Sequence, residues 1–191
     1  MKRIITLFVV LGLAAGFGFS QVQINPVVGV NASRLTDDPG DWEHNSRWGY
    51  QLGLNLRFGE HFYFQPGAHY MKWGHELKGP KDVIDDPVEV IDNVNISGFH
   101  FPVLVGVKIG KGLDIRLNGG GAMTLVTSVG DNEFDLEKSD FNSTIFGAVA
   151  GVGIDIAILS IDVNYEFGLS DLYKDENVKK NIFRLTVGLV F

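Results

Sequence analysis

The sequence predicts an all-β fold: an eight-stranded antiparallel transmembrane β-barrel with long loops at one end and short turns at the other. Three observations carry that prediction. Apolar and polar residues alternate with period two over most of the chain after residue 20. The breaks between the alternating stretches are long and short by turns. Past residue 20 there is no run of the roughly 18 uninterrupted apolar residues that a spanning helix needs.

Composition agrees with a sheet. The 191 residues suit one domain with a targeting segment, and 24 Gly with 12% aromatic residues favour strands over long helices. Without Cys, a disulfide framework and a thiolate metal site are both excluded. A formal net charge of −7 argues against a nucleic-acid partner. Residues 1–20 read as a signal peptide: Lys2 and Arg3 precede an apolar core over 4–15 and a small-residue exit over 16–20. Cleavage before Gln21 leaves 21–191 as the barrel domain, and losing Lys2 and Arg3 takes the charge from −7 to −9.

A first strand is expected over 24–33, with Pro26 near its start, where a missing N–H is tolerated. Asp37-Asp38-Pro39-Gly40 marks a turn inside a polar loop over 34–46. The clearest hairpin comes next. Trp48, Tyr50, Leu52, Leu54, Leu56 and Phe58 share one face; after Gly59-Glu60, Phe62, Phe64, Pro66, Ala68 and Tyr70 resume it. Residues 74–93 read as a long acidic loop, and a fourth strand is expected over 94–109. Gly110-Lys111-Gly112 turns the chain into a fifth strand whose polar side carries Asp114, Arg116 and Asn118. A loop over 128–143 leads to a sixth strand with Asp155 on its polar side. A minimal turn at Ala157-Ile158 leads to a seventh strand with Asp162 and Glu166, then a loop over 170–181 and a last strand ending at Phe191. An even strand number lets the sheet close, and closure is required in hydrocarbon, where each unpaired backbone group costs several kcal/mol.

Three phrases resemble the small outer-membrane β-barrel proteins of Bacteroidota, the PorT-like or porin family proteins. They are Phe99-His100-Phe101-Pro102-Val103-Leu104-Val105, Gly147-Ala148-Val149-Ala150-Gly151-Val152-Gly153-Ile154 and Asp162-Val163-Asn164-Tyr165-Glu166-Phe167-Gly168-Leu169. Phe191 is similar to the C-terminal aromatic signal read by the barrel-assembly machinery. The resemblance implies a barrel of OmpA or OmpX size in the cell outer membrane. Its partners would be outer-membrane lipid, the assembly machinery during biogenesis and, in one branch, a type IX secretion complex. The family commonly has Arg where Asn164 stands before Tyr165.

The polar face predicts a lumen network of Arg57, Lys108, Asp114, Arg116, Asp155, Asp162, Glu166 and Arg184. About eight strands enclose a space that side chains fill, so paired charges forming a plug are expected rather than a selective pore. Trp48, Tyr50, Phe58, Phe62, Tyr70, Phe167, Phe183 and Phe191 are expected as lipid-facing aromatic girdles. His69 and His100 fall on the polar face, where hydrogen-bonded histidines are expected rather than a metal or acid–base pair. Asp82, Asp85, Asp86, Glu89 and Asp92 in one loop, and Asp131, Glu133, Asp135, Glu137 and Asp140 in the next, read as solvated carboxylates without calcium-hand spacing. Asn142-Ser143-Thr144 reads as a chance sequon, and Gly151-Val152-Gly153 opens no helix and is no dinucleotide fingerprint.

The expected role is non-enzymatic: structural, adhesive or assembly, with the long loops as recognition surface and no cofactor. Four alternatives remain open on sequence alone. They are a narrow porin-like pore, a component of a type IX secretion system, a secreted lipocalin-like barrel with its apolar face turned inward, and a lipid-modifying enzyme with a nucleophile and base near the outer leaflet.

Overall fold

The architecture was obtained as a computed structural model, which describes residues 22–36, 43–81, 88–130, 142–172 and 179–191. Eight strands succeed one another: β1 (Val22–Thr36), β2 (Glu43–Phe58), β3 (Phe62–Lys81), β4 (Val88–Lys111), β5 (Leu113–Val129), β6 (Thr144–Ile156), β7 (Leu159–Gly168) and β8 (Lys179–Leu189). Each pairs antiparallel with its neighbours in sequence, and β8 pairs back to β1, so the sheet is a closed barrel.

Tight turns gather at one end. Gly59, Gly110 and Gly112 sit there at φ of 114°, 143° and 89°, where a Cβ would strain the backbone. Ala157 takes the same role between β6 and β7 at φ 53°, a left-handed position reached without glycine. The connections at the other end run through 37–42, 82–87, 131–141 and 173–178, outside the described residues. The acidic positions Asp82, Asp85, Asp86, Asp131, Glu133, Asp135, Glu137 and Asp140 lie among them.

The expected loop over 74–93 is corrected. β3 and β4 stay paired from Gly74↔Asn95 to Lys81↔Val88, and Glu43↔Lys78 to Ser46↔His75 extends β2 alongside. Glu89 and Asp92 therefore lie on a strand, and the connection shrinks to 82–87. The physical reason is that period-two alternation marks only a strand with one apolar face. Past the apolar band neither face has to be apolar, yet backbone groups still satisfy one another across the hairpin. The pairing persists after its sequence signature has ended. For the same reason β8 begins at Lys179 rather than after Asn181.

Through the paired walls the alternation sorts side chains as the sequence does. Leu52, Leu54, Val103, Val105, Ile115, Leu117, Val152 and Ile154 face outward and are exposed. Asn55, Arg57, Gln65, His69, Arg116, Asp155, Asp162 and Arg184 face inward and are buried. This is an inside-out protein: apolar outer wall, polar centre.

Candidate functional site

The interior is the part of the molecule where chemistry-bearing side chains converge, and it has two layers. Near the tight turns, Arg57 from β2 and Arg116 from β5 meet Asp155 from β6 and Asp162 from β7. Arg57 donates from Nη1 to Asp155 Oδ2 at 2.8 Å and from Nε to Gln65 Oε1 at 2.9 Å. Its guanidinium carbon lies 5.2 Å from the centre of the Tyr63 ring. Arg116 donates from Nη1 to Asp162 Oδ1 at 2.7 Å and from Nη2 to Ser160 Oγ at 2.7 Å, and Nη2 is 3.0 Å from Asp155 Oδ1. Asp155 thus bridges two arginines. The quartet carries two positive and two negative charges and has side chains at most 9% exposed. Burial of ions in this geometry is tolerated because each carboxylate meets a guanidinium.

Nearer the long loops a second group forms. Arg184 Nη2 is 3.1 Å from Glu166 Oε2, and Arg184 Nη1 donates to His100 Nε2. A guanidinium has no lone pair to offer, so His100 Nε2 is the acceptor and Nδ1–H donates to Thr124 Oγ1 at 3.0 Å. His100 Nε2 also lies 3.6 Å from Glu166 Oε2, but with the lone pair on Nε2 this is proximity and not an ion pair. The His69 ring stands 5.9 Å from His100, centre to centre. Between the layers, Leu104, Ala122 and Val149 fill space on the β4–β6 side.

Above the second group the interior turns apolar. Met71, Trp73, Ile96, Val126, Ile145 and Ile182 are buried there, with Leu172 from beyond β7. Polar side chains there include Ser33, whose Oγ donates to the Gly74 carbonyl at 3.0 Å, and Lys180, whose Nζ sits 3.9 Å from the Trp73 ring centre, fully buried, with no hydrogen-bond partner among the described residues.

Of the eight residues expected in the lumen network, six join these two layers. Lys108 and Asp114 do not. They pair with each other at 3.4 Å beside the tight-turn mouth, at 17% and 20% side-chain exposure. Sequence reasoning missed Ser160, Gln65 and Thr124 as network members, and Lys180 as the buried cation beside Trp73. Lys180 was hidden by starting β8 too late; Lys180, Ile182, Arg184 and Thr186 share one face of the full strand.

The aromatic residues expected as girdles all lie on the outward face. Toward the long loops, Trp48, Tyr50, Tyr70, Phe167 and Phe183 are joined by Phe99, Phe101, Phe146 and Tyr165, making a band over β2–β4 and β6–β8 in which Met123 and Leu125 take the place of aromatic residues on β5. Tyr70 meets Phe99 edge-on at 5.8 Å, and Tyr165 meets Phe167 at 4.7 Å. Toward the tight turns, Phe58, Phe62 and Phe191 are joined, among the described residues, only by Phe64, and isoleucine and leucine complete that rim. Phe62 at 80% exposure and Trp48 at 68% are far too open for a protein whose outer wall faces water.

A closed barrel with an apolar outer wall, a filled ionic centre and an aromatic rim defines a membrane-spanning β-barrel. Comparison with known proteins takes that class to a family. The model described as the outer membrane protein beta-barrel domain matches residues 7–174, and the chain belongs to that family. Two solved structures share the fold. Ail, the attachment invasion locus protein of Yersinia pestis, in complex with the heparin analogue sucrose octasulfate, aligns at TM-score 0.53 and 16% identity, over 90% of this chain and 99% of that one. Neisserial surface protein A aligns at TM-score 0.51 and 12% identity, over 88% of this chain and 97% of that one. No curated protein matches. The chain is an outer-membrane β-barrel protein.

Proposed function

We propose that this chain is exported by residues 1–20, folded with the help of the barrel-assembly machinery, and set in the outer membrane with its long loops outside. There it serves a structural, adhesive or assembly role, without catalysis and without a solute path. The observation that carries this reading is the double closure of the lumen: the Arg57/Arg116/Asp155/Asp162 quartet at one level and the Trp73/Ile96/Ile182 cap at another. A narrow pore would need a continuous wet path, and the apolar cap interrupts it. A lipocalin-like barrel would turn Leu54 and Val103 inward, whereas both face out. Among the described residues, no group of three His, Cys, Asp or Glu is placed to hold a metal ion.

With the interior filled, recognition falls to the long-loop end, toward an extracellular or secretion-complex protein. The polysulfated ligand of Ail does not carry over well. A chain whose formal charge goes from −7 to −9 once the leader is removed repels a polyanion, so the partner we favour is basic or neutral. Fractionation with liposome assays tests the whole reading. The protein is expected in the detergent-extracted outer membrane, and reconstituted liposomes are expected to exclude small sugars. Recovery in the soluble fraction, or sugar entry at porin-like rates, overturns it.

A further inference from the structure

The seam where the barrel closes sets up a binding site in its centre. At the seam, Ile24 N donates to Phe191 O and Phe191 N to Ile24 O, each at 3.0 Å, so this pair exchanges both bonds of the ladder. In an antiparallel pair the next such exchange falls two residues on, between position 26 and Leu189. Position 26 is proline, which has no N–H to give. The Leu189 carbonyl is instead met by the Asn25 side chain, whose Nδ2 donates to it at 3.2 Å.

That one replacement orients the Asn25 amide, because a carbonyl oxygen can only accept. The Asn25 atom facing Leu189 must be nitrogen, so Oδ1 is the atom that faces inward. It accepts from Asn55 Nδ2 at 3.4 Å. Asn55 then presents its own Oδ1 to His69 Nε2 at 2.8 Å, and Nε2 must carry a proton. His69 is buried and lines a cavity together with Arg184, so the ring is uncharged and Nδ1 is a lone pair. Four residues in a row, from the wall to the centre, therefore fix one tautomer.

His69 lines a cavity of about 20 Å³. Gln51, Asn164, Arg184 and Asp162 also line it. Gln51 Oε1, Asn164 Oδ1, His69 Nδ1 and Arg184 Nε are buried and have no partner among the described residues. One donor and three acceptors of this kind cannot satisfy one another across the space, and leaving each bare costs roughly 1–3 kcal/mol. The volume fits one to two water molecules and nothing larger than that.

We propose that this cavity is a binding site for ordered water, preset by the Leu189–Asn25–Asn55–His69 relay, which turns the His69 Nδ1 lone pair toward the bound water. The water donates to His69 Nδ1 and accepts from Arg184 Nε. It joins the Asp162 side of the ionic quartet to the Arg184–Glu166 pair, so the two layers of the plug act as one network.

The test uses the full barrel in lipid nanodiscs with nitrogen-15 histidine. His69 is expected as the Nε2–H tautomer with an unprotonated Nδ1, and magnetisation is expected to pass from water to its ring. Gln51→Leu, which replaces an acceptor of the cavity with methyl groups, should weaken the transfer and leave the tautomer unchanged. Asn55→Leu, which cuts the relay, should remove the tautomer preference. A wild-type ring protonated on Nδ1, or a correctly inserted barrel with no water transfer to His69, overturns the proposal. So does a metal ion found at stoichiometric level by elemental analysis. The two wild-type readings need no variant to fold.

Discussion

The two ends of the lumen are sealed by opposite physics. Toward the tight turns the seal is ionic: Arg116 meets Asp155, Asp162 and Ser160, and Arg57 completes the charge balance. Toward the long loops the seal is apolar, with the Lys180 ammonium held against the face of Trp73. The first end is stable because its charges are matched; the second is stable in spite of a charge that no carboxylate touches among the described residues. A buried cation is therefore worth opposite amounts at the two ends, and the same kind of substitution should change stability in opposite directions.

The largest effect is expected at Arg116. Arg116→Met removes the shared partner of Asp155 and Asp162 and leaves a buried carboxylate without its guanidinium. Breaking a buried pair from one side costs about 3–5 kcal/mol. Urea unfolding of the barrel in lipid vesicles should show that loss, and an unchanged midpoint would mean that water already reaches the quartet.

Next comes Lys180→Met, with the sign reversed. The ammonium gains about 2 kcal/mol from the face of Trp73 when desolvated. Removing its water costs several kcal/mol, which that contact does not repay. The variant should be more stable than the parent by about 1–3 kcal/mol in the same assay. A lower midpoint would show that attraction from the Glu166 side outweighs the lost hydration, and the contrast between the two ends would fail.

The same contrast sets what could be read from the sequence. The ionic end was legible. Arg57, Arg116, Asp155 and Asp162 are charged residues on the wet side of strongly alternating strands, and charges inside a narrow barrel have to pair. The apolar end was not. Trp73, Ile96 and Ile182 occupy inward positions where an alternation rule expects polar residues, and Lys180 lies in a stretch without alternation. Both failures have one cause. Once strands leave the apolar band, an inward residue is chosen by its neighbours across the lumen, and those are distant in sequence. The closed eight-strand topology was legible because tight turns and even strand number are local; the register that brings His100 to Arg184 is not. The seam was half legible: Pro26 was visible near a strand start, but its substitute donor, Asn25, needs the position of Leu189.

The smallest effect is expected at Lys108, and it separates charge matching from burial as the source of the ionic end's strength. Lys108 and Asp114 are matched like the quartet and sit at the same end, yet they lie at 17% and 20% exposure, with solvent at the tight-turn mouth. A pair that keeps part of its hydration loses little when one side is removed, because the remaining charge is still solvated. Lys108→Gln should therefore cost no more than about 0.2–1 kcal/mol, and added salt should shrink the difference further. If it instead cost as much as Arg116→Met, pairing alone would explain the ionic seal, and the mouth would have to be as dry as the centre. A small, salt-sensitive loss locates the seal at the quartet, one layer inside the mouth.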